Sequence, residues 1–82
     1  MNYQIEFKPR AVKDLKALSA AQHRQVVEKI EALQKDLVGD VKKLTDHTPE
    51  YRLRVGNYRV LFEVDGNSVV VYRILHRKDA YQ

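Results

Sequence analysis

Three stretches rich in β-branched and aromatic residues dominate the second half of the chain, each separated from the next by a glycine turn. The first, Tyr51-Arg52-Leu53-Arg54-Val55, alternates strictly between apolar and basic positions. It is followed by Gly56-Asn57 and then Tyr58-Arg59-Val60-Leu61-Phe62-Glu63-Val64. A second turn, Asp65-Gly66-Asn67, leads into Ser68-Val69-Val70-Val71-Tyr72-Arg73-Ile74-Leu75-His76. Such runs predict a three-stranded antiparallel meander. A two-residue loop at Gly56-Asn57 pairs Val55 with Tyr58 and Arg54 with Arg59, and cross-strand partners share a face. Tyr51, Leu53, Val55, Tyr58, Val60, Phe62 and Val64 then form an apolar face, and Arg52, Arg54 and Arg59 gather on the other. For the second turn, burying an unpaired guanidinium is costly. That favours a three-residue, bulged turn with Val70, Tyr72 and Ile74 inside and Arg73 outside, beside Arg59.

The first half has a different period. Tyr3, Ile5 and Phe7 alternate with Gln4 and Glu6, which predicts a strand over residues 2–7. Pro9 suits a first helical position. Ala11, Val12, Leu15 and Leu18 then recur at helical spacing, giving a helix over roughly residues 9–18. Ser19-Ala20-Ala21-Gln22 is a capping box, and Val26, Val27, Ile30, Leu33 and Leu37 form the apolar stripe of a second helix. Gly39 fits its C′ stop. Residues 40–50 are polar and irregular, pinned by Val41 and Leu44. The order β-α-α-β-β-β predicts an α+β fold, a helical hairpin on one face of an antiparallel sheet. The opposite face, with the arginines, has no cover.

Composition narrows the chemistry. A chain of 82 residues is one domain spanning residues 1–82, with a small core. Cysteine is absent, so there is no disulfide, thiolate metal site or cysteine nucleophile. His23 and His47 lack metal-like spacing, and neither a metal nor a cofactor is expected. No apolar run approaches a membrane span, no signal-peptide pattern opens the chain, and a cytoplasmic protein is expected. The formal net charge of +4 is compatible with a nucleic-acid partner. The basic residues are dispersed, so any basic patch must be built by the fold.

Like charges placed opposite each other in a sheet are destabilising, which makes the arginine cluster a candidate polyanion site. Arg52, Arg54, Arg73 and Lys78 are candidate phosphate ligands. Arg59, Arg77, His76 and Tyr81 are the candidate catalytic set. Guanidinium groups hold phosphate with a planar fork of donors, and an aromatic ring nearby can stack a base. A 2′-hydroxyl attack on phosphorus needs a proton acceptor, a proton donor and charge stabilisation. Arginines supply the last. His76 offers an imidazole, the usual proton carrier in such chemistry, and Tyr81 can stack or exchange a proton. Tyr51, Tyr58 and Phe62 read as core, and Asp14, Glu28, Glu31 and Asp36 as solvated helix charges.

The segment from Tyr51 to Val64, with its Y-R-L-R-V-G-x-Y-R pattern, and the terminal H-R-K-D-x-Y from His76 to Tyr81 resemble the RelE/ParE superfamily of toxins from toxin–antitoxin systems. The order of elements and the length agree over essentially the whole chain. In the RelE branch the resemblance implies a toxin that enters the ribosomal A site and cleaves mRNA without a metal. It aligns Arg59 with a phosphate-contacting arginine, Arg77 with a second catalytic arginine, and Tyr81 with a base-stacking tyrosine. Arg52 and Arg54 fall where that branch often has lysines. Because arginine does not give up its proton, those two are expected to bind, leaving proton transfer to His76 or Tyr81. The resemblance also implies a cognate antitoxin, with operator DNA reached only through it. Two other outcomes share the fold: a ParE-like inhibitor of DNA gyrase, and an inactive member that only binds antitoxin.

Overall fold

The computed structural model describes residues 2–80. Its order is β1 (Gln4–Phe7), α1 (Pro9–Lys16), α2 (Ala20–Ala32), β2 (Val41–Lys43), β3 (Tyr51–Val55), β4 (Tyr58–Asp65) and β5 (Ser68–His76). The strands form one sheet in the order β1-β5-β4-β3-β2. The pairs β2–β3, β3–β4 and β4–β5 are antiparallel, while β1 runs parallel to β5. The two helices cross over between β1 and the rest of the sheet, and they supply the cover for its apolar face.

That face is the core. Ala11 and Leu15 from α1 and Val26 and Ile30 from α2 meet Leu53, Val55, Val60, Phe62, Val69, Val71 and Ile74 from the sheet. Pro9 starts α1 as expected, and Ser19 Oγ accepts the Gln22 N–H at 3.3 Å to cap α2. The second helix stops earlier than its apolar stripe suggests. Gln34 O accepts the Tyr3 N–H at 2.7 Å instead of a helical donor, and Asp36 and Leu37 both take left-handed φ angles. Leu33 is still buried, but it caps the helix rather than lying inside it. Gly39 is therefore no helix stop. Its φ is 142°, and a Cβ there would lie 3.0 Å from Leu53 Cδ1, so the position is glycine because the backbone passes directly over the core.

Three further expectations are corrected. Residues 40–50 are not wholly irregular. Val41–Lys43 form an edge strand in which Val41 packs on the core opposite Leu53, and Lys42 stands opposite Arg52. The second hairpin turn is a two-residue loop, with Asp65 opposite Ser68, so Val69 and Val71 are buried in place of Val70 and Tyr72. The extra residue enters further along: Phe62 pairs with Val71 and Leu61 with Arg73, leaving Tyr72 as a bulge. The bulge returns Ile74 to the core and Arg73 to the outer face. That face is not bare either. Leu61 is 4% exposed and Ala80 3%, and both line a cavity together with the 47–49 loop.

Candidate nucleic-acid interface

The first hairpin has the register that its two-residue loop dictates, with Arg54 opposite Arg59 and Val55 opposite Tyr58. Together with Lys42 opposite Arg52, this sets four cations from three adjacent strands on the outer face. Lys42, Leu44, Arg52, Arg54 and Arg59 line an open groove of about 420 Å³. Lys42 was not legible as a site residue, because a three-residue strand carries too little alternation to fix its phase.

Each guanidinium is held differently. Arg52 is mostly covered and donates from Nη1 to the Asp40 carbonyl at 3.2 Å and to Asp40 Oδ1 at 3.4 Å. Its Nε is buried without a hydrogen-bond partner. Arg54 is exposed, with Nε 4.0 Å from the other Asp40 oxygen. Arg59 donates from Nη1 to the carbonyls of Gly56 and Tyr58 at 3.0 and 2.9 Å. Carbonyls orient that group without neutralising it, so Arg59 keeps its full charge for a ligand. The Arg77 N–H donates to Asn57 O at 2.7 Å, which anchors the start of the C-terminal turn at the same hairpin. Lys78 follows, exposed.

Two expected members of the cluster stand elsewhere. Arg73 is not beside Arg59; Leu75 is opposite Arg59, and Arg73 is opposite Leu61. Its Nε and Nη2 donate to Asp14 at 2.8 and 3.2 Å, and that hydrogen bond raises the guanidinium pKa above its ordinary value against the opposing effect of burial. Arg73 thus lines a second cavity of about 560 Å³ with its charge already matched. Asp14, expected to be solvated, is largely covered. His76 packs edge-on against Tyr58, with ring centroids 5.6 Å apart, and accepts the Lys78 N–H on Nδ1 at 3.3 Å. Tyr58 belongs to the helix side, where its hydroxyl donates to Gln22 Oε1 at 3.2 Å. The strand phase therefore separates His76 from the arginine groove. Tyr81 lies outside the described residues. Among the described residues, no group of three or more His, Cys, Asp or Glu could hold a metal ion, and no helix is long and apolar enough to cross a membrane.

Comparison with known proteins places this geometry in a family. Residues 5–81 match the model of the ParE toxin of the type II toxin–antitoxin system parDE. The chain is 37% identical over 83 residues to toxin RelE3 of Methanocaldococcus jannaschii, covering 95% of this chain and 94% of that one. Among solved structures, it is 36% identical to a chain of the RelB–RelE antitoxin–toxin complex from Methanococcus jannaschii, with TM-score 0.76 and coverage of 93% and 94%. The archaeal RelE–RelB complex from Pyrococcus horikoshii matches with 28% identity, TM-score 0.80 and coverage of 98% and 100%. The chain belongs to the ParE toxin family of type II toxin–antitoxin systems, within the RelE/ParE superfamily.

Proposed function

We propose that this toxin is an endoribonuclease that holds a single RNA strand by its phosphates in the outer-face groove and cleaves mRNA in the ribosomal A site. The convergence of Lys42, Arg52, Arg54 and Arg59 on one open groove carries the reading. The similarity to a RelE toxin over nearly the whole chain supports it. Internal cleavage removes a proton from a 2′-hydroxyl as its oxygen attacks the adjacent phosphorus. The bond to the 5′ oxygen breaks, that oxygen takes up a proton, and a cyclic phosphate remains. The phosphorane gains negative charge, and preorganised guanidinium donors stabilise it. Arg59, oriented but not neutralised, takes that role, with Arg77 from the same hairpin end. Arg52 and Arg54 bind the flanking phosphates, and Lys42, which lines the same groove, supplies the proton to the leaving oxygen. No metal is assigned a role.

Proton removal is given to His76 or Tyr81. For His76 this requires that the ring leave Tyr58. Unchanged single-turnover rates in both His76→Ala and Tyr81→Phe would exclude that part of the scheme. The partner is a cognate antitoxin, a reading supported by the similarity to chains of two RelB–RelE antitoxin–toxin complexes. It would occlude the groove and link the toxin to operator DNA. The setting is the cytoplasm.

The match to the ParE model favours a second reading, inhibition of DNA gyrase on the same fold. Expression from a tight promoter, with mRNA ends mapped in translating cells, separates the two. Cuts within codons at the A site support cleavage. Intact mRNA with supercoiling defects refutes it in favour of gyrase. An Arg59→Ala, Arg77→Ala double variant is expected to relieve growth arrest and retain antitoxin binding; full toxicity in that variant removes the proposed site.

A further inference from the structure

We infer that Asp14, on α1 and outside the groove, is a positioning residue for the RNA-binding face, because its carboxylate fixes the bulge that sets the phase of residues 73–77. The inference rests on the reading of that face as an RNA site. Up to Phe62 and Val71 the β4–β5 ladder has one register, and from Leu61 and Arg73 onward it has another. Continued without the bulge, the first register would set Arg73 opposite Val60, in the core, and Ile74 opposite Arg59, on the outer face. The residues after Ile74 would change sides as well, and the anchorage of Arg77 at Asn57 would be lost.

A bulge leaves its extra residue unpaired and disrupts the ladder locally, so contacts from outside the sheet can fix where it falls. Here the holding groups come from the β1–α1 segment. Asp14 Oδ2 accepts the Ile74 N–H at 2.9 Å and Arg73 Nε at 2.8 Å, while Oδ1 accepts Arg73 Nη2 at 3.2 Å. Lys8, just before α1, places its ammonium 5.3 Å from the centre of the Tyr72 ring. One carboxylate thus satisfies a backbone donor and holds the guanidinium on the outer side, and both links exist only in the bulged register.

The test uses the full-length protein with Asp14→Ala, Asp14→Asn and, as a stability control, Ile30→Val. Amide exchange and binding of a short 2′-O-methyl RNA, which cannot be cleaved, are measured for each. Asp14→Ala is expected to speed exchange at Ile74 and the residues after it by about tenfold or more relative to Leu53. It should also weaken RNA binding by about tenfold, the loss expected when a charge-assisted contact is misplaced. Asp14→Asn keeps an acceptor for the Ile74 N–H, so both effects should be smaller, about threefold; it carries the test if the alanine variant does not fold. Ile30→Val, which trims the core, should leave RNA affinity unchanged. Native exchange and native affinity in the Asp14 variants would overturn the inference, as would an equal loss of affinity in Ile30→Val. A wild-type protein that ignores the RNA refutes the RNA reading instead, and the exchange measurement still decides whether Asp14 sets the strand phase.

Discussion

If the groove binds RNA through phosphate contacts, its salt dependence follows from the cations that line it. Four are present: Lys42, Arg52, Arg54 and Arg59. Asp40 touches two of them, at 3.4 Å from Arg52 and 4.0 Å from Arg54, so the effective number lies between three and four. Each phosphate neutralised on a single strand contributes a slope of about 0.7 in log Kd against log salt, giving roughly 2.1–2.8 in total. Raising salt from about 50 to about 200 mM should then weaken binding by about 20- to 50-fold. Removing one cation, as in Arg54→Ala, should lower the slope by about 0.7. Asp40→Asn acts in the opposite direction. It deletes a negative charge beside the groove while keeping an acceptor for Arg52. A carboxylate about 7 Å from a bound phosphate repels it by ~0.6 kcal/mol in a water-like medium and ~2.4 kcal/mol at a dielectric near 20. Asp40 is 60% exposed, so the lower figure applies after screening, about a threefold gain in affinity at low salt. Fluorescence anisotropy with a labelled, non-cleavable oligonucleotide reads all three quantities. A slope below about 1, or weaker low-salt binding by Asp40→Asn, would refute the assignment of the groove as a phosphate track.

Three other outcomes follow from the packing. Gly39→Ala should destabilise the protein by roughly 2–4 kcal/mol, since it forces a side chain into a positive-φ position and against the fully buried Leu53; thermal unfolding should move down by ~10 °C or more, and an unchanged midpoint would contradict the close approach. Ser19→Ala removes an exposed cap with a 3.3 Å bond and should cost about 0.5–1 kcal/mol, read as a small shift in the denaturant midpoint without loss of toxicity. A saturating antitoxin that binds only the folded toxin should raise its stability by ~2.7 kcal/mol at one hundred times Kd; a midpoint indifferent to antitoxin concentration would argue against a folded-state partner.

The parts of the fold that were legible are those whose determinants are local. Pro9 and Ser19 mark helix starts, and the helical spacing of Val26 and Ile30 marks a buried face. The Gly56-Asn57 loop fixes the pairing of Arg54 with Arg59, and with it most of the groove. Non-local determinants account for what was missed. The second helix yields to the bond between Tyr3 and Gln34, a pairing no window over residues 20–39 contains. Strand β2 exists because β3 offers it an edge, and its three residues are too few for a period to emerge. Lys42 was therefore invisible as a groove residue, although it shares a face with Arg52.

The strand phase of β5 shows the same division more sharply. From sequence, Arg73 posed a choice between a buried guanidinium and an extra residue in the turn, and desolvation cost correctly decided that Arg73 must leave the core. It could not decide where the extra residue would go. The turn needed no bulge, since Gly66, with φ 59°, closes a two-residue loop. The accommodation occurs instead at Tyr72, where Asp14, 60 residues away from Ile74 in sequence, offers a carboxylate to the displaced strand. The tight turn buries Val69 and Val71 in place of Val70 and Tyr72, and the bulge after them sets Ile74 in the core and His76 against Tyr58. On the inference drawn above, that carboxylate sets which side of the sheet receives the residues after the bulge. The arginine groove, set by one tight hairpin, could be read from the chain alone; the positions of Arg73 and His76 required knowing what α1 places against β5.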